Sequence, residues 1–478
     1  MNDSIAALVG DYIANQRWFA GKGRGHTVRA VSTLAWLPGD SPGATTGGAD
    51  VRVQMAVVEV DSETAADSGV DRYQLPLSHR IERAPQLEHA YVGEWDGKHI
   101  YDALHDRDAV ELLVAGLIGA EPADRVLPPL HAHPVAERAV DHAQPTIMLT
   151  GEQSNSSVVV GSHLLLKVFR RVSPGRNPDI EVLEALTRAG SHEIVPLVGW
   201  LEADALPAGT GVGGLDLAML SDFLRTATDG WDLALTSLRD LFAERDLHPD
   251  EVGGDFASES ERLGVTTARL HGELARHLPR ATWSRDDLLA AAARMRRRLH
   301  AAVGEVPELA AHAGALSAVF DSLGELDVPV AVQRVHGDFH LGQTLRTIDG
   351  WRVIDFEGEP STPLAERTAL DSPVRDIAGM LRSFDYAAQS QWADLLGDHQ
   401  LAQRALEWSE RNRQSFLTGY AAGSGADLDR EQAVMLRAYE TDKAVYEAVY
   451  EARNRPSWLP IPLRAVSRLA QLVPGGAR

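Results

Sequence analysis

The stretch Val335–Pro360 reads VHGDFHLGQTLRTIDGWRVIDFEGEP. Asp338 sits in a His-Gly-Asp triplet. Gln343 follows five residues later, and Asp355 stands twelve further on, at the end of the apolar run Trp351–Ile354. A carboxylate can position and deprotonate an attacking hydroxyl, so Asp338 reads as a general base. An amide carbonyl and a carboxylate are hard oxygen donors suited to Mg²⁺, so Gln343 and Asp355 read as its ligands. Glu357 is a candidate second metal ligand, and Glu359 adds a further oxygen nearby. A hydroxyl-activating base beside a divalent-cation site is the equipment of phosphoryl transfer from ATP. A lone His-Gly-Asp would read as a solvated turn. The two spacings, with an apolar strand before Asp355, make the set specific.

The same spacing separates the catalytic aspartate, the asparagine and the metal-binding aspartate of protein kinases. Such an enzyme also needs a lysine on a strand, held by a helical acid, to reach the ATP phosphates. About 170 residues upstream, His163–Phe169 (HLLLKVF) carries the single lysine Lys167 inside an apolar run. Glu181 and Glu184 lie on the helix expected next, and Glu181, at its start, is the favoured partner. The alternative is a surface lysine on an edge strand. The hairpin before Lys167 should cover the phosphates. It reads Gly151-Glu152-Gln153-Ser154-Asn155-Ser156-Ser157, which is neither a GxGxxG loop nor a Walker A sequence. Ser154, Asn155 and Ser156 are its candidate phosphate contacts, the alternative being an ordinary polar turn. Met219 and Leu220 fall where a hinge backbone would pair with adenine. His336 and His340 show no metal-ligand pattern and read as structural. Asp376 reads as a residue that orients the catalytic loop.

The elements that must position these groups follow from hydrophobic period and punctuation. Val51–Asp61 is a long strand candidate, with Tyr73–Leu77 and Ala90–Trp95 as shorter ones. Ser41–Asp50 reads as a loop, and Ala109–Leu117 as a short helix. Pro145–Thr150, Ser156–Val160 and His163–Phe169 are strands, the last two joined by a turn at Gly161-Ser162. Pro178–Ala189 is a helix capped by Asn177, with proline at its first position and Gly190 ending it. Helical spacing recurs over Ser258–Leu278, Arg285–Val303, Pro307–Leu326, Asp371–Ala388, Leu401–Tyr420 and Asp429–Ala452. Between them Val330–Phe356 is strand-rich. A β-rich front, a helical back and this sheet island indicate an α+β protein with separate lobes.

The chain has 478 residues with 46 Lys and Arg against 68 Asp and Glu, a net charge of −22. That balance argues against duplex nucleic acid and against an anionic membrane surface. Zero cysteines exclude disulfides, thiolate zinc sites and cysteine nucleophiles. The N-terminus, MNDSIAALVGDYIANQRW, has neither a basic leader nor a long apolar run, and the expectation is a cytoplasmic monomer.

Several blocks, in order, resemble the actinobacterial maltokinase-like family, maltokinases and glucosamine kinases, of the aminoglycoside phosphotransferase and choline kinase superfamily. They are Gln16–Gly21 (QRWFAG), SNSSVV, LKVFRRVSPGRNPDIE, RVHGDFHLGQTLRT, WRVIDFEGEP, DSPVRDIAGMLRSFDYAA and DKAVYEAVYEARNRPSWLPIPLR. The resemblance implies a bilobal, eukaryotic-protein-kinase-like fold with an additional β-rich N-terminal cap. The expected division is a cap over 1–105, a kinase N-lobe over 106–220 and a helical C-lobe over 221–478. It implies Mg²⁺-ATP as donor, a sugar as acceptor, Asp338 as base, and Gln343 and Asp355 as metal ligands. Phe19 stands where maltokinases have tyrosine, which favours glucosamine over maltose. Aminoglycoside phosphorylation and a nucleotide-binding pseudokinase are the remaining alternatives.

The acceptor site is expected on the last long helix, at Tyr446, Glu447 and Glu451, beside Asp338. Glu447 and Glu451 share one helical face and repel unless a cation intervenes. Either Lys443 or a protonated aminosugar could supply that cation. Trp458 could wall the sugar ring, or pack in the core.

Overall fold

The computed structural model describes residues 3–22, 26–37, 51–61, 69–118, 130–138, 144–149, 155–204, 213–359, 362–392 and 398–471. The loop expected at Ser41–Asp50 and the hairpin residues Gly151–Ser154 lie outside these, so the phosphate contact assigned to Ser154 is outside the described residues. Two compact units form: Met1–Gly190 with Val195–Arg225, and Ser191–Ile194 with Thr226–Arg478.

The first unit runs α1 (Asp3–Ile13), β1 (Val28–Leu37), β2 (Val51–Asp61), β3 (Val70–Arg80), β4 (Tyr91–Trp95), β5 (Lys98–Asp102), α2 (Arg107–Ile118), β6 (Leu130–Pro134), β7 (Thr146–Met148), β8 (Asn155–Val160), β9 (Leu164–Phe169), α3 (Pro178–Arg188), β10 (Leu197–Ala203) and β11 (Leu215–Asp222). Strands β1-β2-β3-β5-β4 make one antiparallel sheet and β6-β10-β11-β9-β8-β7 a second. Strand β2 alternates only partly because nearly all of it is buried. Ile5, Val9 and Ile13 of α1 join Val58, Tyr73 and Leu75 in one core, while α2 also packs on β2. A buried ion pair, Arg170 Nη2 to Asp102 Oδ2 at 2.7 Å, ties the two sheets together. Breaking such a pair from one side costs about 3–5 kcal/mol.

The second unit runs β12 (Thr228–Asp229), α4 (Gly230–Ala243), α5 (Ala257–His277), β13 (Arg280–Trp283), α6 (Arg285–Glu305), α7 (Ala313–Asp321), β14 (Val330–Gln333), β15 (Thr344–Thr347), β16 (Gly350–Val353), α8 (Leu364–Arg367), α9 (Val374–Trp392), α10 (His399–Ser424), α11 (Arg430–Asn454) and α12 (Pro460–Gln471). Capping boxes start α6 at Ser284/Asp287 and α11 at Asp429/Gln432. Helices α5 and α10 cross so closely that a methyl group at Gly264 or Gly419 would strike the other backbone. The single helix expected over 307–326 is broken. Pro307 opens a tight 3₁₀ turn to Ala311, and the ladder restarts at α7 after His312, whose φ is −109°. Among the described residues no helix is long and apolar enough to cross a membrane.

Candidate active site

The loop between β14 and β15 carries Asp338, and it is pinned from below. Asp376, in the first turn of α9, is 1% exposed. Its two carboxylate oxygens accept the backbone N–H groups of His336, at 2.8 Å, and Gly337, at 2.9 Å. His271 Nε2 donates to the same carboxylate at 3.2 Å. Gly337 adopts φ +84°, a conformation that costs glycine little and presents the next residue, Asp338. Burial pushes the Asp376 carboxyl up, but the His271 hydrogen bond, the His271 and His336 rings and the Gly337 N–H outweigh it, so it lies below its ordinary range. Asp376 therefore orients the loop, as its sequence context suggests.

The loop is then fastened to the strand that delivers Asp355. His336 Nε2 donates to the Ile354 carbonyl at 2.9 Å, and Ile354 N donates to the Gln343 carbonyl at 3.0 Å. These bonds bring the side chains of Gln343 and Asp355 together, with Gln343 Nε2 3.1 Å from Asp355 Oδ2. Asp355 has φ +66°, one of two non-glycine residues in the left-handed region among those described. Left-handed backbone at a non-glycine residue gathers at functional sites. Glu357 is buried near Arg367, which lies 4.0 Å away. Gln343, Asp355 and Glu357 offer the neutral and charged oxygens that Mg²⁺ takes, so the donor set fits that ion.

Asp338 opens onto a cavity of about 740 Å³ whose lining includes Trp283, Glu359, Asp442, Lys443 and Tyr446. Lys443 Nζ lies 3.0 Å from Asp338 Oδ1 and 3.3 Å from Glu359 Oε2, and Tyr446 donates to Glu359. Burial pushes Asp338 up, but Lys443 first, then His340 and His336, pull it down to about 2. Six carboxylates line the cavity (Asp287, Asp338, Glu359, Glu366, Asp371, Asp442) against four cations (Arg294, Arg298, Arg375, Lys443), a net charge of −2.

Tyr446 thus lines the same cavity as Asp338, whereas three other residues expected at the acceptor are engaged elsewhere. Glu447 makes its ion pair with the buried Arg382, at 2.6 Å from Nη2, and feels the Lys443 charge only at longer range. Glu451 is 1% exposed, accepts from Tyr386, and takes Arg455 Nη2 at 2.6 Å. Trp458 packs beside Tyr386 with Arg455 over its ring, and it is not among the residues lining this cavity. The repulsion between Glu447 and Glu451 is relieved by two arginines, one from the next turn and one from α9. Trp283, which short-range patterning leaves inconspicuous, lines the cavity together with Phe339, Tyr439 and Tyr446.

In the first unit Lys167 is buried on β9, and the carboxylate at 3.0 Å from its ammonium is Asp179. Asp179, fully buried at the second position of α3 and two residues before the half-buried Glu181, is thus an acid partner of Lys167 that the sequence reading did not single out. The Asn177 side chain caps Asp179 N at 2.8 Å. Ser156 is also reassigned: its hydroxyl is buried and accepts from Arg170 Nε at 2.8 Å, which ties it to the core. Asn155 pairs with Phe169 at the start of β8. Met219 and Leu220 lie mid-strand in β11, between β10 and β9, opposite Lys167 and Leu166. Backbone groups inside a three-strand ladder have no spare capacity for adenine. The chain leaves that sheet only after Asp222.

A pinned base beside paired oxygen donors, with a buried lysine–carboxylate pair on a strand and helix, is the working set of kinase-like phosphotransferases. Over residues 149–412, more than half of the chain, the sequence matches the family described as "Phosphotransferase enzyme family". Residues 12–106 match "Maltokinase N-terminal cap domain". The chain belongs to the phosphotransferase enzyme family, in its maltokinase-like branch. A glucosamine kinase from Streptacidiphilus jiangxiensis is 31% identical over 323 residues, 65% of this chain and 70% of that protein. One from Mycolicibacterium smegmatis is 28% identical over 342 residues, 67% and 78% of the two chains. A solved glucosamine kinase (crystal form B) is similar with a TM-score of 0.63 at 25% identity, covering 87% of this chain and 91% of that one. A glucosamine kinase in complex with glucosamine, ADP and inorganic phosphate shares the fold, with a TM-score of 0.66 at 24% identity over 96% and 98%.

Proposed function

We propose that the protein transfers the γ-phosphoryl group of ATP to a hydroxyl of a small sugar, with glucosamine the favoured acceptor and glucosamine 6-phosphate the product. The observation that carries this reading is Asp338, ionised and opening onto a cavity of net charge −2. Such a lining favours a cationic aminosugar over a neutral one. The glucosamine kinase relatives support the same acceptor.

In this reading the acceptor hydroxyl gives its proton to Asp338 as its oxygen bonds the γ-phosphorus and the bond to ADP breaks. Asp376 keeps the base in place through the loop backbone. Lys167, paired with Asp179, binds ATP phosphate oxygens. Gln343, Asp355 and Glu357 would hold Mg²⁺, whose charge would neutralise phosphate oxygens when bound.

Maltose phosphorylation at the anomeric oxygen is the second reading, favoured by the maltokinase-type cap. Steady-state rates with glucosamine, maltose, glucose and an aminoglycoside panel separate them. The expected order places glucosamine first in kcat/KM. Preferred turnover of maltose or an aminoglycoside moves the acceptor assignment, and magnesium-ATP left intact with every sugar leaves a nucleotide-binding module.

A further inference from the structure

Asp338 uses only one of its two carboxylate oxygens in the hydrogen bonds made by the described residues. Oδ1 takes the Lys443 ammonium at 3.0 Å, and Oδ2 has no partner among those residues. Lys443 itself is held on three sides: by Asp338, by Glu359 at 3.3 Å, and by the Tyr446 ring 5.0 Å away. Glu359 is fixed in turn by the Tyr446 hydroxyl. The helix that carries Lys443 and Tyr446 is anchored one turn later, where Glu447 pairs with Arg382.

We propose that Lys443 is a positioning residue for the transfer: it locks Asp338 in one orientation through Oδ1, so that Oδ2 faces the acceptor hydroxyl. This rests on Asp338 being the base of a sugar kinase. A compact, fully charged ammonium suits the task because it can donate to Asp338 and Glu359 together. The order of events needs no movement of Lys443: the acceptor enters the cavity, its hydroxyl meets the free oxygen, and the lysine stays where it is. Sequence spacing hides this role, because the i,i+4 rule pairs Lys443 with Glu447 on its own helix, whereas its hydrogen bonds go to carboxylates more than 80 residues away.

The test is Lys443→Met with Lys443→Arg as the conservative partner, each read by kinetics, thermal unfolding and a crystal structure. Loss of orientation lowers kcat by roughly 30- to 100-fold. The KM for ATP stays within about twofold, the melting temperature holds, Lys443→Arg recovers to within about fivefold, and Asp338 in Lys443→Met leaves its wild-type rotamer. The proposal is overturned if kcat stays within about threefold, if ATP KM rises and stability falls in step with the loss of kcat, or if Asp338 does not move. A wild-type protein inactive on every sugar sinks the sugar-kinase reading instead, and the crystallographic comparison still decides the orientation claim.

Discussion

A general base works only while ionised, and Asp338 lies where burial alone would favour its neutral form. The Lys443 ammonium, with His340 and His336, reverses that balance and brings the carboxyl to about 2, so it is charged in the neutral range. Replacing it by asparagine keeps the shape and removes the basicity. Asp338→Asn is expected to lower kcat by about 10²–10⁴-fold while leaving ATP binding within a few-fold, as measured by ADP release and nucleotide titration. Loss of ATP binding in step with turnover would show a structural role instead. At this scale the sequence was most readable where chemistry demands fixed spacing. Asp338, Gln343 and Asp355 stand close along the chain, and a His336 side-chain bond and a backbone bond, both to Ile354, bring their loop and strand together. It was least readable where partners come from other elements. Lys443, Glu447 and Asp179 each pair according to three-dimensional packing that no local rule encodes.

The elements matter through the ends they present. Helix α3 begins at Asn177, whose N–H donates to Asp216 Oδ2 at 2.6 Å, and this first turn carries the Asp179 that meets Lys167. Burial raises Asp216 to about 6, against the opposing Asn177 N–H bond and the Arg176 charge. A folded-state value above the unfolded one means that stability is fully present below about pH 4 and is lost as pH rises through 6. The shift is worth roughly 2–3 kcal/mol. Asp216→Asn is therefore expected to flatten the fall in melting temperature between pH 4.5 and 7.5; an unchanged slope would remove Asp216 as its source.

Helix α11 is set against α9 by Glu447 and the buried Arg382. Glu447→Gln leaves a buried guanidinium short of charge and is expected to destabilise by about 3 kcal/mol in denaturant titration. The acceptor KM should change far less than the stability. A large KM rise at unchanged stability would return Glu447 to the substrate. Helix periods were legible from apolar spacing for α5, α6, α9, α10 and α11, whose buried faces are long and regular. Short strands such as β5 and β6 were not, because their burial is set by neighbouring strands.

For the whole molecule, −22 is an average with one local meaning: six carboxylates against four cations around the cavity that contains Asp338. The lack of cysteine is compatible with chemistry that needs oxygen ligands, one lysine and one carboxylate base. The α+β character, the β-rich front and the helical back were legible because β-rich and helical periods occupy separate stretches of chain. The acceptor was less so, since the residues around the cavity come from α6, α11 and the segment around Glu359, which are far apart in sequence. One competition measurement tests the central claim most directly. Wild-type protein is given magnesium-ATP with equal concentrations of glucosamine and maltose, and the products are identified by phosphorus NMR. Glucosamine 6-phosphate is the expected dominant product, formed with one ADP per sugar phosphate; an excess of maltose 1-phosphate, or ATP consumed with no sugar phosphate formed, would overturn the glucosamine reading.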